Sequence, residues 1–396
     1  MKSNLFTKYV LEASVVSEVF IWSGNDVLVG YDIVFVNDRA YLIDHDLMAS
    51  KLLETSSRNI LGELKNVLDR GLSLLGFLKK YGIRVDDISR DTLPVKDRRI
   101  LMETYRYVKD HIRMKNKPYI PGSEIKGVLR TALLNFFVST GKIPRKTIDE
   151  IMQGLDEKII KEKNAGWGVE KIFKMILSYE NYSRRVQQHY VDILHYLHVS
   201  DPLEMRSRYA VDTIAVVKRT DPGKTTAIQP IIGLEEGSRF IYEVNLYRPI
   251  REDASGYSTE IGKLLEKYNK VYTVFFDALR YFSLKLIDYE IRQLSKLPSA
   301  RQFVERLKSW RGEVEAGKAY YFKIGFGAGM YSKTIYLSLN RKEQAQLIDI
   351  MSRKIRRRTR GKIHVWDTLT LKLVGSRYPS EIVPFGWVRF SFKNIS

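Results

Sequence analysis

The sequence predicts an α+β fold in two units, residues 1–248 and 249–396, the first carrying a large helical insertion over about residues 46–198. Three observations carry this. Strand-like and helix-like stretches come in blocks, ordered strands, helices, strands, helix, strands, the pattern of segregated layers. The 396 residues, 44% of them hydrophobic, suffice for two ordinary cores. A stretch of linker composition, Pro249 to Gly256, separates the blocks.

Residues 8–22 are rich in β-branched and aromatic side chains in alternation, the period of a strand. Residues 27–44 read as a hairpin in which Ile33-Val34-Phe35-Val36 and Tyr41-Leu42-Ile43 flank an Asn37-Asp38 turn. From Asp46 to about His198 helical periodicity dominates, broken near Pro94, at Pro118-Tyr119-Ile120-Pro121 and at Gly141-Lys142-Ile143-Pro144. Strand character returns at Tyr209–Lys218 and Arg239–Leu246. The second unit opens with a long helix: Leu264, Leu265, Tyr268, Val271, Tyr272, Phe275, Phe276, Leu279 and Phe282 recur at three- and four-residue spacing, a core stripe. Strands follow at Ala319–Gly325 and Trp387–Phe392.

Lys and Arg number 66 against 46 Asp and Glu, a net charge of +20. From Lys318 to Ser396 there are 16 basic and four acidic residues, so more than half of the excess sits in the last fifth of the chain. Such a field draws polyanions: nucleic acid, an anionic membrane or an acidic protein. The absence of cysteine excludes disulfides, thiol catalysis and thiolate metal sites, and fits a reducing cytoplasm. No run reaches the roughly 18 apolar residues of a membrane span. Met1-Lys2-Ser3-Asn4 leads into strand-like sequence rather than an apolar signal core. A soluble cytoplasmic protein is expected.

Two stretches suit a phosphate backbone. In the first, Pro121-Gly122 is a turn signal and Ser123 a good N-cap. Ile125, Val128, Leu129, Ala132, Leu133, Phe136 and Phe137 then mark a buried helix face, while Lys126 and Arg130, four apart, share one flank. Backbone N–H groups, the helix dipole and two cations converge there, and Gly127 leaves room for another backbone. An ordinary capped amphipathic helix has the same pattern. In the second, Lys323-Ile324-Gly325-Phe326-Gly327-Ala328-Gly329-Met330-Tyr331-Ser332-Lys333-Thr334 follows a strand. It is neither a P-loop, since three residues separate Gly329 from Lys333, nor a dinucleotide fingerprint, since Met330 stands where the last glycine belongs. What remains is a loop able to lie flat on a ligand, with Ser332, Lys333 and Thr334 as donors, or else a tight structural turn. A third feature, Arg353, Lys354, Arg356, Arg357, Arg358, Arg360 and Lys362, has no acid within it. Such a run repels itself unless an anion is near, and RNA backbone is the economical partner. Arg206, Arg208, Tyr209, Lys218 and Arg219 add groups that could stack or pair with single-stranded RNA.

The string Tyr119-Ile120-Pro121-Gly122-Ser123, with Ile125-Lys126-Gly127 and Arg130-Thr131-Ala132-Leu133, resembles the signature of the RAMP superfamily of CRISPR proteins, most of all the fifth-subunit family of type III-A (Csm) effector complexes. The glycines 325, 327 and 329 are similar to that family's glycine-rich loop, and Pro384-Phe385-Gly386-Trp387-Val388 to its closing strand. Val16 to Gly24 resembles its opening strand, with Glu18, Phe20 and Trp22 where the family usually has Pro, His and Gly. The resemblance implies two ferredoxin-like (RRM-like) RAMP domains and a structural subunit in antiviral defence that caps the 3′ end of the guide RNA (crRNA). It also implies contacts with the repeating backbone subunit and the small helical subunit, and recruitment of a trimming nuclease. RNA-binding residues would be Gly122, Ser123, Lys126, Gly127, Arg130, Gly325, Gly327, Gly329, Ser332, Lys333, Thr334, Arg353, Arg356, Arg357, Arg358 and Arg360.

Catalysis is not expected. The six histidines, His45, His111, His189, His195, His198 and His364, form no His-Glu-x-x-His pattern, and neither Gly-x-Ser-x-Gly nor an acidic metal cluster is present. His195 and His198 with Asp192 leave a metal pair conceivable. The expectation is no cofactor, no metal and no membrane; the competing reading is a guide-RNA processing endoribonuclease of the same superfamily.

Overall fold

The computed structural model describes residues 6–55, 59–70, 74–97, 100, 105–141, 148–149, 153, 178–179, 191–192, 197–218, 221–247, 259–349, 370–374 and 382–395. In chain order its elements begin β1 (Phe6–Val15), β2 (Trp22–Leu28), β3 (Ile33–Val36), β4 (Arg39–Ile43), α1 (His45–Glu54), α2 (Ile60–Asp69) and α3 (Leu74–Lys80). Next come β5 (Ser89–Pro94), β6 (Tyr107–His111), β7 (Arg113–Met114), β8 (Lys117–Pro118), α4 (Gly122–Ser139), β9 (Ser178–Tyr179) and β10 (Val191–Asp192). They continue with β11 (Leu197–Val199), β12 (Glu204–Arg206), β13 (Tyr209–Lys218), β14 (Asp221–Leu234), β15 (Arg239–Tyr247) and α5 (Thr259–Leu294). The last are α6 (Arg301–Glu315), β16 (Tyr320–Lys323), β17 (Thr370–Val374) and β18 (Trp387–Asn394). The class is α+β, as the block order predicts.

Two sheets organise the molecule. The main sheet is antiparallel, in the order β11-β15-β1-β18-β16, with β12 also on β15. Its centre, β1, pairs with β15 from Phe6↔Tyr247 to Ser14↔Arg239 and with β18 from Tyr9↔Asn394 to Val15↔Val388. Alternation buries Leu11, Ala13 and Val15 together with Phe240, Tyr242 and Val244. Helices α4, α5 and α6 join the same core through Leu129, Leu133, Phe275, Leu279, Phe282, Phe303 and Leu307. The aromatic stripe is therefore core over Phe275, Leu279 and Phe282; the side chains from Leu264 to Val271 lie outside the described residues. The second sheet runs β17-β13-β14-β6-β2. Both sheets contain strands from before and after residue 249.

The hairpin β3–β4 turns as expected at Asn37, whose φ of +56° is one Asn tolerates. Two readings differ from the structure, and one strand went unread. Residues 8–22 are not one strand: after β1 the chain crosses between the sheets, Val16 and Ser17 donating to Trp387 O and Val19 exchanging bonds with Leu234. The 46–198 block is helical in α1–α3 and α4, but residues 89–118 supply β5 to β8. Their polar residues hid the alternation because they bond one another: Arg113 reaches Asp91 at 3.3 Å and Asp110 at 3.1 Å. Finally, β14 runs through Pro222 and Pro230, whose turn chemistry concealed the longest strand described. The Pro249–Gly256 linker lies outside the described residues.

Candidate nucleic-acid interface

Pro121, at φ −62° and ψ 144°, is the N-cap of α4, and the helix starts at Gly122. Ser123 is thus inside the first turn, exposed, and not the cap the sequence suggested. The Gly122 N–H donates to Asp201 Oδ1 at 3.0 Å, so this end of the helix already faces a carboxylate of the protein's own. A Cβ on Gly122 would sit 2.1 Å from Ser200 O; that glycine is needed for contact with the segment before β12. Gly127, by contrast, has open space where a Cβ would point.

The glycine-rich loop leaves β16 and presses on two other backbones. Gly325 has φ +66°, and its Cβ would lie 2.3 Å from Phe20 O; that of Gly327 would lie 2.6 Å from Phe385 O. Phe326 N donates to Phe20 O at 2.8 Å, and Gly386 N to Glu18 O at 2.7 Å. Of the positions where the sequence departs from the family's opening strand, Phe20 therefore backs the loop and Glu18 the closing Gly386, while Trp22 lies on β2. Gly329, at φ +73°, precedes a short helix, Met330–Lys333. Ser332 is buried and its hydroxyl donates to Ala328 O, while Thr334 Oγ1 donates to Met330 O at 2.8 Å. Both hydroxyls are engaged inside the loop, whereas Lys333 is exposed.

Buried Asn135 of α4 ties the two stretches together: its Nδ2 donates to Thr334 O at 3.0 Å and its Oδ1 accepts from Ser338 at 2.8 Å. A cavity of about 220 Å³ opens between them, lined by Ser123, Glu124, Gly127, Val128 and Thr131 of α4 and by Lys323, Ser332 and Lys333. Two patterns some 200 residues apart in sequence thus share one groove. Lys126 and Arg130, half-buried on the neighbouring flank, do not line it.

Two further lysines shape its charge. Lys323 Nζ is buried 3.1 Å from Glu290 Oε1 and 2.9 Å from Tyr331 Oη, which anchors the loop on α5. Lys372, on β17, places Nζ 3.6 Å from the Phe326 ring centroid and donates to Phe326 O. Burial, and then the charges of Lys323 and Lys333, pull its pKa down to about 8. Sequence reasoning passed over Phe326 inside the glycine string and missed Lys372, Asp201 and Asn135, which no local spacing marks; a lone lysine in Thr370–Val374 carried no signal.

Arg353, Arg356, Arg357, Arg358 and Arg360 lie outside the described residues, as do His189, His195 and His364. His45 Nε2 is 2.8 Å from Asp32 Oδ1, its ring stacked on Tyr31 at 4.5 Å. Burial takes the pKa of His111 down to about 3, so it is neutral. Tyr209 donates to Asp91 at 2.9 Å beneath Arg113. Among the described residues no group of three or more His, Asp or Glu is placed to hold a metal, and no helix is long and apolar enough to cross a membrane.

This fold and these stretches define the class: the chain belongs to the RAMP superfamily, whose profile matches residues 107–396. Within it the chain is Csm5-like. It is 23% identical over 301 residues to the CRISPR-system protein Csm5 of Methanocaldococcus jannaschii, over 72% of this chain and 65% of that protein. The match thus spans less than two thirds of the curated relative. A chain of a cryo-EM structure of a Csm–crRNA–target RNA ternary complex of a type III-A CRISPR-Cas system superposes with a TM-score of 0.62 at 18% identity, covering 98% of this chain and 100% of that one. The crystal structure of T. onnurineus Csm5 gives 0.60 at 18% identity, with 95% and 99% covered.

Proposed function

We propose that this protein is an RNA-binding, non-catalytic subunit of a type III-A CRISPR effector complex, positioned at the 3′ end of the crRNA. The observation that carries this is the shared groove, in which the α4 flank and the glycine loop meet beside Lys333 and Lys372. A half-buried lysine whose charge is opposed by two neighbours gains from a phosphate more than a solvated one does. The likeness to a chain of a Csm–crRNA–target RNA complex supports crRNA and other Csm subunits as partners, the repeating backbone subunit and the small helical subunit among them, with a trimming nuclease acting on the exposed guide end. The reading includes a cytoplasmic location and two ferredoxin-like halves, 1–248 and 249–396. In its favour, each half gives the main sheet paired strands and a long helix.

In this reading Ser123, Gly127 and Lys333 touch RNA, Gly325, Gly327 and Gly329 shape the loop, and the 353–362 run adds sequence-independent affinity. The test is a binding and cleavage assay on single-stranded RNA, followed by removal of the subunit from an assembled complex. RNA should be bound and left intact with or without divalent metal, and removal should change the distribution of guide lengths. The second reading, an endoribonuclease, draws on the Asp32-oriented His45. Discrete cleavage abolished by His45→Ala would establish it instead.

A further inference from the structure

Beyond the groove, the edge of the second sheet carries exposed rings. Residues 107, 109 and 111 of β6 share one face. His111 is buried there, edge-on to Phe20 at 5.8 Å, and Phe20 is edge-on to Phe326 of the glycine loop at 6.3 Å. Trp22 pairs with His111 across β2 and β6. From that buried end the aromatic row comes out into solvent: Trp22 is 50% exposed, Tyr107 40% and Phe326 39%.

Single exposed hydrophobics need no explanation, but each of these has a cation on its face. Lys109 Nζ is 4.2 Å from the Trp22 ring centroid, Arg106 5.2 Å from Tyr107, and Lys372 3.6 Å from Phe326. Asp26 holds Lys109 at 3.3 Å, and the Trp22 indole N–H donates to Asn25 O at 3.0 Å. The ring and its ammonium are thus fixed before any ligand arrives, which lowers the ordering cost of binding. Tyr107, opposite Leu28, and His111, opposite Trp22, are four residues or about 13 Å apart along the strand, with Lys109 between them.

We infer that Trp22, Tyr107 and Phe326 form a stacking track for unpaired bases of single-stranded RNA, leading from the glycine-loop groove along β6. Flat rings interleaved with cations are what sequence-tolerant base stacking requires. Continuity with the groove gives the strand a route: phosphates beside Lys333 and Lys372, bases over Phe326, then Trp22 and Tyr107. The inference rests on the RNA-binding reading above.

The full-length Trp22→Ala/Tyr107→Ala protein is titrated with a short oligouridylate and with an oligomer of equal length carrying abasic sites. Affinity for oligouridylate should fall at least about tenfold, with an unchanged salt slope, since no phosphate contact is removed. Wild type and variant should bind the abasic oligomer alike, and Trp22→Phe/Tyr107→Phe should keep wild-type affinity. Unchanged oligouridylate binding by the alanine variant overturns the track, as does equal loss on both oligomers. Normal RNA binding with failed assembly onto neighbouring subunits would make the surface a protein contact and also overturn it. Lys333→Glu separates the two levels: if it weakens binding while the alanine pair does not, only the track fails. If wild type binds neither oligomer, the RNA reading itself fails.

Discussion

Replacing Lys323 with Met should destabilise the protein far more than an exposed lysine would, because it strands a buried carboxylate. Lys323 and Glu290 are 1% and 0% exposed and 3.1 Å apart, with Tyr331 donating to the same oxygen. Removing one partner of such a pair costs about 3–5 kcal/mol, whereas replacing both by apolar side chains of similar volume is often neutral or better. Lys323→Met and Glu290→Leu should therefore each be costly, and the double variant should recover most of the loss, a coupling of about 3 kcal/mol or more. Urea unfolding followed by tryptophan fluorescence is the assay: the Trp387 ring lies 5.7 Å from Lys323 Nζ and reports the site. A single-variant cost below about 1 kcal/mol, or a double variant destabilised by the sum of the two, would refute the claim that this pair anchors the glycine loop.

Two other perturbations separate stability from binding. Gly127→Ala fills open space on a helix and should raise stability by about 0.5–1 kcal/mol yet weaken RNA binding; Gly327→Ala, 2.6 Å from Phe385 O, should lower stability by about 1–3 kcal/mol. Melts and RNA titrations of both variants check this. Lys372 gives opposite pH dependences. RNA affinity should fall as pH rises through about 8, where the free lysine discharges. Its folded pKa lies below the ordinary 10.5, so between about 8 and 10.5 the unfolded chain holds the extra proton and stability should rise with pH. Lys372→Met should flatten both profiles, and persistence of either slope contradicts the assignment.

Local patterns were readable where apolar residues recur at strand or helix spacing, even in β13, buried on both faces from Ala210 to Ala215. The β3–β4 hairpin, β13, β15 and the α4 stripe all have alternating or helical apolar spacing, and the structure places them within a residue or two. Strands β5, β6 and β14 were not, because Asp91, Asp110 and Arg113 satisfy one another and Pro222 and Pro230 mimic turns. The candidate site was readable in two separate halves. That Asn135 ties them together, that Asp201 already caps α4 and that Lys372 arrives from β17 are long-range facts with no local spacing to reveal them. The candidate-site glycines are a mixed case: Gly325 and Gly327 are required by the Phe20 and Phe385 backbones, and of Gly122, Gly127, Gly325, Gly327 and Gly329 only Gly127 has open space above it.

The central claim, that RNA is held where α4 meets the glycine loop, is tested most directly by titrating single-stranded RNA into wild type and Lys333→Glu. Lys333 is exposed at the groove, so its reversal should leave the melt unchanged. It should weaken RNA binding by roughly tenfold or more and flatten the log–log salt dependence by about 0.7 for the lost phosphate contact. Equal affinity and equal salt slope in the two proteins would contradict it.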